Sequence, residues 1–468
     1  MGERILLVEP GYKTKFPPMG LMKISAYHKN LGHEVTFVKG INEPARFSYW
    51  DKIYISTLFT FNWKETIDTI WYYFRSLKED SSRIAVGGIL ATLLKDDLMN
   101  TFGFPPIPGV LDKPGMLGFD DKLIVDEMIP DYTLFDETPY EYTLIDDCYF
   151  GYSTRGCVNS CEFCGVPILE PEFIEYRGLK PYVNQIKELY GEKHNLVLFD
   201  NNVLASKKFK AIINDIIDLG FGVGAKLDKR KRHVDFNQGI DARLMTKEKV
   251  RLLSKIAIHP LRIAFDHIKF EKLYRKKVLL AAGFEIRNLS NYILYNFDDT
   301  PEDLWKRLEI NITLNEENDL KIYSFPMKYI PLTAKDRSYI NEPNWNWQFI
   351  RGVQRILNVL KGTVMTSRDF FYRAFGESTE EFIKILHMPE ELMMSRGKVP
   401  GANEIDWNEK FTSLTKNEKK KLLQILCKYR DRKSLNAAIS KTKSLKLKNI
   451  LEYYRKHEVE DKNFKLFE

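Results

Sequence analysis

The chain has 468 residues, 44% of them hydrophobic, and a formal net charge of +7. This length exceeds one ordinary hydrophobic core and predicts two to four domains, while the composition excludes a disordered protein. No apolar run approaches about 18 residues, and Met1–Leu6 lacks the apolar region of a signal peptide, so we expect neither a membrane span nor secretion. Five cysteines, three of them clustered, suit a reducing compartment, and we expect a cytoplasmic protein.

The first 95 residues alternate short apolar runs with helical patterns. The runs are Ile5–Val8, Val35–Val38, Ile53–Ser56 and Ile84–Gly87, and the longer helical patterns cover 21–31 and 62–77. Buried parallel strands separated by helices predict a doubly wound, Rossmann-like domain. No Gly-x-Gly-x-x-Gly follows the first run, so the dinucleotide-binding fingerprint is absent.

Two features of this domain bear on ligand binding. Gly87 and Gly88 end the fourth strand, where the absence of side chains would let the backbone approach a ligand or a neighbouring helix closely. The alternative is that they form a plain tight turn between strand and helix. Only ten residues separate Gly40 from Asp51, too few for a full crossover helix. A loop-rich stretch with Phe104–Gly109 then leads to about residue 146, which we take as the end of the first domain.

The next stretch holds three cysteines within eight residues. Cys157, Cys161 and Cys164 have the spacing Cys-x3-Cys-x2-Cys, which suits an iron–sulfur cluster or zinc. Three thiolates leave a fourth metal position open, as in a reactive centre. The alternative is that Cys148 supplies a fourth ligand to a structural zinc site, in a nucleic-acid-binding protein without catalysis.

Between Tyr149 and about Leu332, strands alternate with helices at a regular period. Predicted strands start near Tyr149, Asn195, Val234, Arg262, Ile293 and Leu320. Six such units predict a partial (β/α)6 barrel over residues 147–335, with its chemistry at the carboxyl ends of the strands. The pattern after Pro331 is helical and predicts a helical module over 336–468.

The last part of the chain is basic. Residues 415–468 contain 16 Lys and Arg but only 7 Asp and Glu. A solvated helical face is the commoner explanation of such a pattern, and a nucleic acid partner is the other.

The cysteine stretch Tyr152–Cys164 closely resembles the cluster loop of the radical S-adenosylmethionine (radical SAM) superfamily, including an aromatic residue, Phe163, before the third cysteine. Segments Pro17–Leu21, Leu31–Val35, Ser56–Leu58 and Gly87–Thr92 resemble the cobalamin-binding-type domain that precedes many of its cores, and Ile129–Asp136 resembles the connecting linker. The resemblance therefore points to the cobalamin-binding (B12-type) subgroup.

The resemblance implies a radical SAM enzyme. Cys157, Cys161 and Cys164 would bind three irons of a [4Fe–4S] cluster, and S-adenosylmethionine would bind the fourth and be cleaved to a 5′-deoxyadenosyl radical. It also implies an electron donor such as flavodoxin or ferredoxin, and a small-molecule or nucleotide substrate. Whether Gly87 and Gly88 help to bind cobalamin, and whether the reaction is methylation, rearrangement or oxidation, stays open.

Further site residues follow from the positions at the strand ends. By resemblance, Phe163 would seat the adenine, and Asp200, Asn201 and Asn202 would meet the methionine end of S-adenosylmethionine. Gln238 joins them as a cofactor-binding candidate. The candidate catalytic residues, which we expect to line the pocket, are Asp200, Gln238, Arg243 and Asp266.

Overall fold

The computed structural model describes residues 2–119 and 121–455. It confirms a mixed α/β fold with parallel sheets and many helices. The chain divides into two compact units. The first contains the chain up to Ala264 with Lys276–Leu289 and Ile330–Tyr339, and the second contains Phe265–Arg275, Ser290–Tyr329 and the chain from Ile340.

A four-stranded parallel sheet in the order β2-β1-β3-β4 opens the first unit, as the Rossmann-like pattern predicts. Its elements are β1 (Arg4–Glu9), α1 (Met19–Asn30), β2 (Glu34–Lys39), α2 (Glu43–Phe47), β3 (Lys52–Thr57), α3 (Trp63–Ser76), β4 (Ile84–Gly88), α4 (Ile89–Leu93) and α5 (Lys95–Phe102). β1 is central and almost wholly buried, which explains its unbroken apolar run. The connection between β2 and β3 holds only the five-residue helix α2.

A second parallel sheet in the order β5-β6-β9 carries the cysteine stretch at its carboxyl edge. The elements of this part are β5 (Cys148–Gly151), α6 (Val166–Leu169), α7 (Leu179–Tyr190), β6 (Asn195–Leu198), α8 (Phe209–Ile216), β7 (Lys226–Leu227), β8 (Arg230–Lys231), β9 (Val234–Phe236), α9 (Lys247–Leu253), β10 (Leu261–Arg262), α10 (Glu271–Ala282) and β11 (Asn288–Tyr295). Gly191 ends α7 at φ +82°, as its position in the sequence indicates.

The second unit is mostly helical. Its elements after β11 are α11 (Pro301–Asn318), β12 (Lys321–Lys328), α12 (Trp347–Val359), α13 (Arg368–Phe375), α14 (Thr379–His387), α15 (Glu390–Met394), α16 (Ala402–Thr412), α17 (Lys416–Lys428), α18 (Arg432–Lys441) and α19 (Leu445–Leu451). A capping box between Thr300 and Asp303 starts α11. The aromatic residues of the helical module, among them Trp345 and Trp407, form a buried core.

All six strands predicted between residues 147 and 335 are present, although the fourth, β10, is only two residues long. The closed arrangement of a partial barrel and the division at residues 146 and 335 stay predictions. Among the described helices, none is long and apolar enough to span a bilayer.

Candidate functional site

The three clustered cysteines lie on the loop that follows β5, which we call the cysteine loop (residues 152–164). All three side chains are partly exposed, and none of the five cysteines of the chain forms a disulfide. The backbone N–H of Cys164 donates to the carbonyl oxygen of Cys161 at 3.0 Å, which closes a turn between the second and third cysteines. The loop thus presents three thiols near the carboxyl ends of β6 and β9.

Asp200, directly after β6, fixes the start of this loop. Its side chain is fully buried. Its carboxylate accepts hydrogen bonds from the hydroxyls of Ser153 and Thr154 at 2.6 and 2.7 Å, and from both backbone N–H groups. Burial raises the pKa of Asp200, and these hydrogen bonds oppose the rise. The structure therefore shows Asp200 as a positioning residue, while its predicted catalytic role stays a prediction.

The middle of the loop is fixed by Gly156. This glycine has φ +70°, and a Cβ added to it would lie 2.2 Å from the carbonyl oxygen of Glu172. Its N–H donates to the carboxylate of Glu170 at 2.7 Å. Only glycine fits this left-handed, crowded position, so the residue before Cys157 sets the direction of the first thiol.

A cluster of four charged residues, Lys23, Asp126, Arg155 and Arg177, lies at the loop, with Lys23 and Arg155 buried and Asp126 and Arg177 half-buried. The Asp126 carboxylate pairs with Lys23 at 3.0 Å and with Arg177 at hydrogen-bond distance. Arg155 lies within the loop, stacks 4.0 Å over the ring of Tyr152 and pairs with Glu170 at 3.0 Å. Burial lowers the pKa of Lys23 to about 8 although Asp126 opposes the shift.

Hydrogen-bond donors point at two of the three thiols. Cys157 Sγ accepts from the backbone N–H of Asn159 at 3.4 Å, from its Nδ2 at 3.7 Å and from Nδ2 of Asn202 at 3.4 Å. The hydrogen bond to Asp241, and to a lesser extent an interaction with Cys161, raise the pKa of the Arg243 guanidinium above its usual value. Such donors stabilise negative charge on sulfur, as around the thiolate ligands of iron–sulfur clusters.

The carboxylate of Asp241 links the side chains of Asn159 and Arg243. This carboxylate accepts from Asn159 Nδ2 at 2.9 Å and from Nε and a terminal nitrogen of Arg243, both at 2.8 Å. Burial alone would raise the pKa of Asp241, but the hydrogen bonds from Arg243 and Asn159 lower it. Asp241 is therefore a carboxylate that orients its neighbours.

The remaining predicted residues are distributed as follows. Asn201 donates to Glu170 at 3.1 Å, and Phe163 is half-buried on the loop. Gln238 is exposed after β9, where it contacts Asn237. Asp266 belongs to the second unit, in which its carbonyl oxygen accepts a hydrogen bond from Arg307 at 2.8 Å. The structure thus brings Asp200, Asn202 and Arg243 to the cysteine loop, whereas Asn201 is linked to it through Glu170.

Gly87 and Gly88 serve the packing of β4. Gly87 forms a parallel bridge with Ile107. Gly88 has φ +103°, and a Cβ there would lie 2.3 Å from the carbonyl oxygen of Thr57 on the neighbouring strand. Packing explains both glycines, so they are no independent evidence for a cobalamin pocket.

Cys148 is placed as a core residue. It begins β5, at the opposite end of the strand from the cysteine loop, and its side chain is 3% exposed. Burial raises the pKa of its thiol to about 12, which keeps it protonated. Among residues 2–119 and 121–455, no three His, Cys, Asp or Glu side chains are grouped to hold one metal ion. Because Cys148 is buried at the far end of β5 from the other three cysteines, the four-cysteine zinc site is not favoured.

Several site residues have no clear signal in the sequence. Ser153, Thr154, Asn159 and Glu170 are ordinary polar residues near the cysteines, and each acquires its role from a partner that lies distant in the chain. The position of Asn159 inside the cysteine motif is the one available hint. Taken together, three thiols on one loop and donors to two of them fit a [4Fe–4S] cluster.

Comparison with known proteins supports the fold. No protein-family model matches the chain, and no curated protein matches it in sequence. The chain is similar to a solved structure of the radical S-adenosylmethionine methyltransferase TsrM from Kitasatospora setae with cobalamin and a [4Fe–4S] cluster bound. The TM-score is 0.52 at 14% identity, over 71% of this chain and 77% of that one.

A second TsrM structure, with tryptophan substrate and the SAM analogue aza-SAM bound, also matches with a TM-score of 0.52 and 14% identity, over 71% of this chain and 75% of that one. Over this part of its length, the chain therefore shares the fold of TsrM.

Proposed function

We propose that this protein is a radical SAM enzyme in which Cys157, Cys161 and Cys164 bind three irons of a [4Fe–4S] cluster. The observation that supports this most strongly is the cysteine loop itself, with its three partly exposed thiols and the donors that point at Cys157 and Cys161. When reduced, such a cluster supplies the electron that cleaves S-adenosylmethionine to methionine and a 5′-deoxyadenosyl radical. The TsrM-like fold supports the same proposal.

The residues around the loop would bind and orient S-adenosylmethionine. The Oδ1 atom of Asn202 is buried and has no hydrogen-bond partner, while Nδ2 of the same side chain donates to Cys157. A buried acceptor without a partner favours a ligand that donates a hydrogen bond, and the amino group of S-adenosylmethionine would do so. Gln238 is exposed and would form further polar contacts, and Phe163 would pack against the adenine.

A small molecule is the substrate class we propose, because one of the similar TsrM structures contains the small-molecule substrate tryptophan. The same likeness makes methyl transfer the first reaction to test. The electron donor, a flavodoxin or ferredoxin, follows from the need to reduce a low-potential cluster. Binding of a nucleic acid to the basic helices stays a prediction.

The test begins with anaerobic purification and reconstitution with iron and sulfide. We expect about four irons per chain and the electron paramagnetic resonance (EPR) signal of a reduced cluster. With dithionite and S-adenosylmethionine, the wild type should release 5′-deoxyadenosine, or S-adenosylhomocysteine if a methyl group is transferred. One tightly bound zinc in place of iron would contradict the proposal.

Cys161→Ala should lose the cluster signal and both products, because two thiolates do not retain the cluster. Cys427→Ala is the matched control, since Cys427 lies in α17 of the second unit. Full turnover by Cys161→Ala would contradict the cluster assignment. Titration with hydroxocobalamin, followed by its visible spectrum, decides separately whether cobalamin binds.

A further inference from the structure

The carboxylate of Asp241 contacts two side chains that lie beside different cysteines. Asn159 lies beside Cys157, and Arg243 interacts with Cys161. Asn159 Nδ2 has two hydrogens, and the same nitrogen lies 3.7 Å from Cys157 Sγ and 2.9 Å from Asp241 Oδ2. Asp241 thus fixes the rotation of the amide whose second hydrogen faces Cys157. The two residues are 82 positions apart in the sequence, on the cysteine loop and after β9.

The same carboxylate binds Arg243 in a fork. Nε and a terminal nitrogen each lie 2.8 Å from one carboxylate oxygen, and the backbone N–H of Arg243 donates to Oδ1 at 2.9 Å. A bidentate pair fixes the guanidinium plane. The same guanidinium interacts with Cys161, which adds to the rise in the pKa of Arg243 that Asp241 causes. The Arg243 side chain is half exposed, whereas that of Asp241 is mostly buried, so the buried partner determines where the exposed one lies.

We propose that Asp241 is a positioning residue that holds Asn159 against Cys157 and Arg243 against Cys161, and so sets the reduction potential of the bound cluster. This inference rests on the proposed function. Reduction adds negative charge that is shared by the cluster sulfurs, and hydrogen bonds to the cysteine sulfurs stabilise the reduced form. Both donors therefore raise the potential, and both depend on one carboxylate.

The direction in which the reduction potential shifts distinguishes a positioning role of Asp241 from a direct effect of its negative charge. If Asp241 acted only through its own negative charge, its removal would raise the cluster potential. If it holds the two donors, Asp241→Ala releases both from the sulfurs, and the potential shifts to a more negative value. The shift should exceed that of Asn159→Ala, which removes one side-chain donor only.

The experiment measures the midpoint potential by EPR-monitored redox titration of reconstituted wild type, Asp241→Ala, Asn159→Ala and the double variant. We expect the order wild type, Asn159→Ala, Asp241→Ala from highest to lowest, with the double variant equal to Asp241→Ala. Asp218→Ala is the control for loss of one carboxylate, because Asp218 pairs with Lys180 at the surface. An unchanged or raised potential in Asp241→Ala would overturn the inference.

The readout separates this inference from the proposed function. A wild type that assembles no four-iron cluster overturns both, whereas a wild-type cluster with a normal signal and an unshifted Asp241→Ala overturns the positioning role alone. If Asp241→Ala does not fold, Asn159→Ala and Arg243→Gln decide the question. Each should lower the potential by itself, and two unshifted variants would overturn the inference.

Discussion

The carboxylate of Asp200 accepts a hydrogen bond of 2.6 Å from the hydroxyl of Ser153, 47 residues earlier in the chain. This bond joins the carboxyl ends of two neighbouring parallel strands, β5 and β6, at the point where the cysteine loop begins. Two backbone N–H groups and a second hydroxyl converge on the same carboxylate. The cysteine loop therefore has a rigid base inside the fold.

Asp200→Asn should loosen this base. The amide NH2 of Asn would face donors that now meet a carboxylate oxygen, which leaves buried N–H or O–H groups without an acceptor. We expect a loss of about 1–3 kcal/mol in the free energy of unfolding and a lower iron content after reconstitution. Urea denaturation followed by circular dichroism measures the free energy of unfolding. Asp218→Asn at the surface is the control. A variant as stable as wild type would contradict the anchoring role.

Gly156→Ala should disrupt the loop more than other glycine substitutions at positive φ. The added Cβ would meet the Glu172 carbonyl oxygen at 2.2 Å, whereas at Gly191, with φ +82°, nothing lies within 4 Å of the added atom. Gly191→Ala should lose about 1–3 kcal/mol from backbone conformation alone, because its φ of +82° and ψ of 171° suit only glycine. Gly156→Ala should lose about 1–3 kcal/mol more because of the clash. Thermal unfolding of both variants, with iron content after reconstitution, measures the difference; equal losses would contradict this account.

The sequence predicts the cysteine site and most of the strands because those signals are local. A motif of three cysteines or an apolar run such as that of β1 lies within a few residues. The basic run 226–233 has the composition of a solvated loop. Residues 226–231 form the small hairpin β7–β8, but Arg232 is buried over the ring of Phe221 at 3.7 Å. Burial of one cation in a basic run depends on tertiary packing.

The partners of the cysteines lie beyond sequence reasoning for the same reason. Asn159 and Asp241 come together only because β5 and β9 flank β6 in one sheet. Lys23 and Asp126 are 103 residues apart. Single-sequence patterns give the residue types at strand ends but not which side chains pair there. The sequence therefore places Asp200 after β6 without indicating its contacts to Ser153 and Thr154.

Asp299→Ala should destabilise the second unit. Asp299 and Arg307 form an ion pair with both side chains at most 2% exposed, and Trp345 Nε1 donates to Asp299 Oδ1 at 3.0 Å. Removal of one partner leaves the other charge buried and unpaired, which costs about 3–5 kcal/mol. Asp298→Ala is the matched control, because that adjacent side chain is 74% exposed. Equal urea midpoints for the two variants would rule out a stabilising role for the buried pair.

The stability of the protein should fall in mild acid because of His28. Its ring is fully buried in α1, Nδ1 lies 3.0 Å from Nδ1 of His33, and Nε2 has no hydrogen-bond partner. Burial lowers the pKa of His28 to about 3, while an unfolded histidine has a pKa near 6.5. Between these values the unfolded state binds a proton that the folded state does not, so stability decreases as the pH falls below about 6.5 and levels off near pH 3.

At pH 5 this single group accounts for a loss of about 2 kcal/mol relative to pH 7.5. His28→Phe keeps an aromatic ring among Tyr27, Tyr54 and Phe119 and removes the titrating group, so its unfolding free energy should depend less on pH over this range. His267→Asn is the control, because the His267 side chain is 23% exposed and caps Lys269 through Nδ1. Parallel pH profiles for wild type and His28→Phe would show that His28 is not the acid-sensitive group.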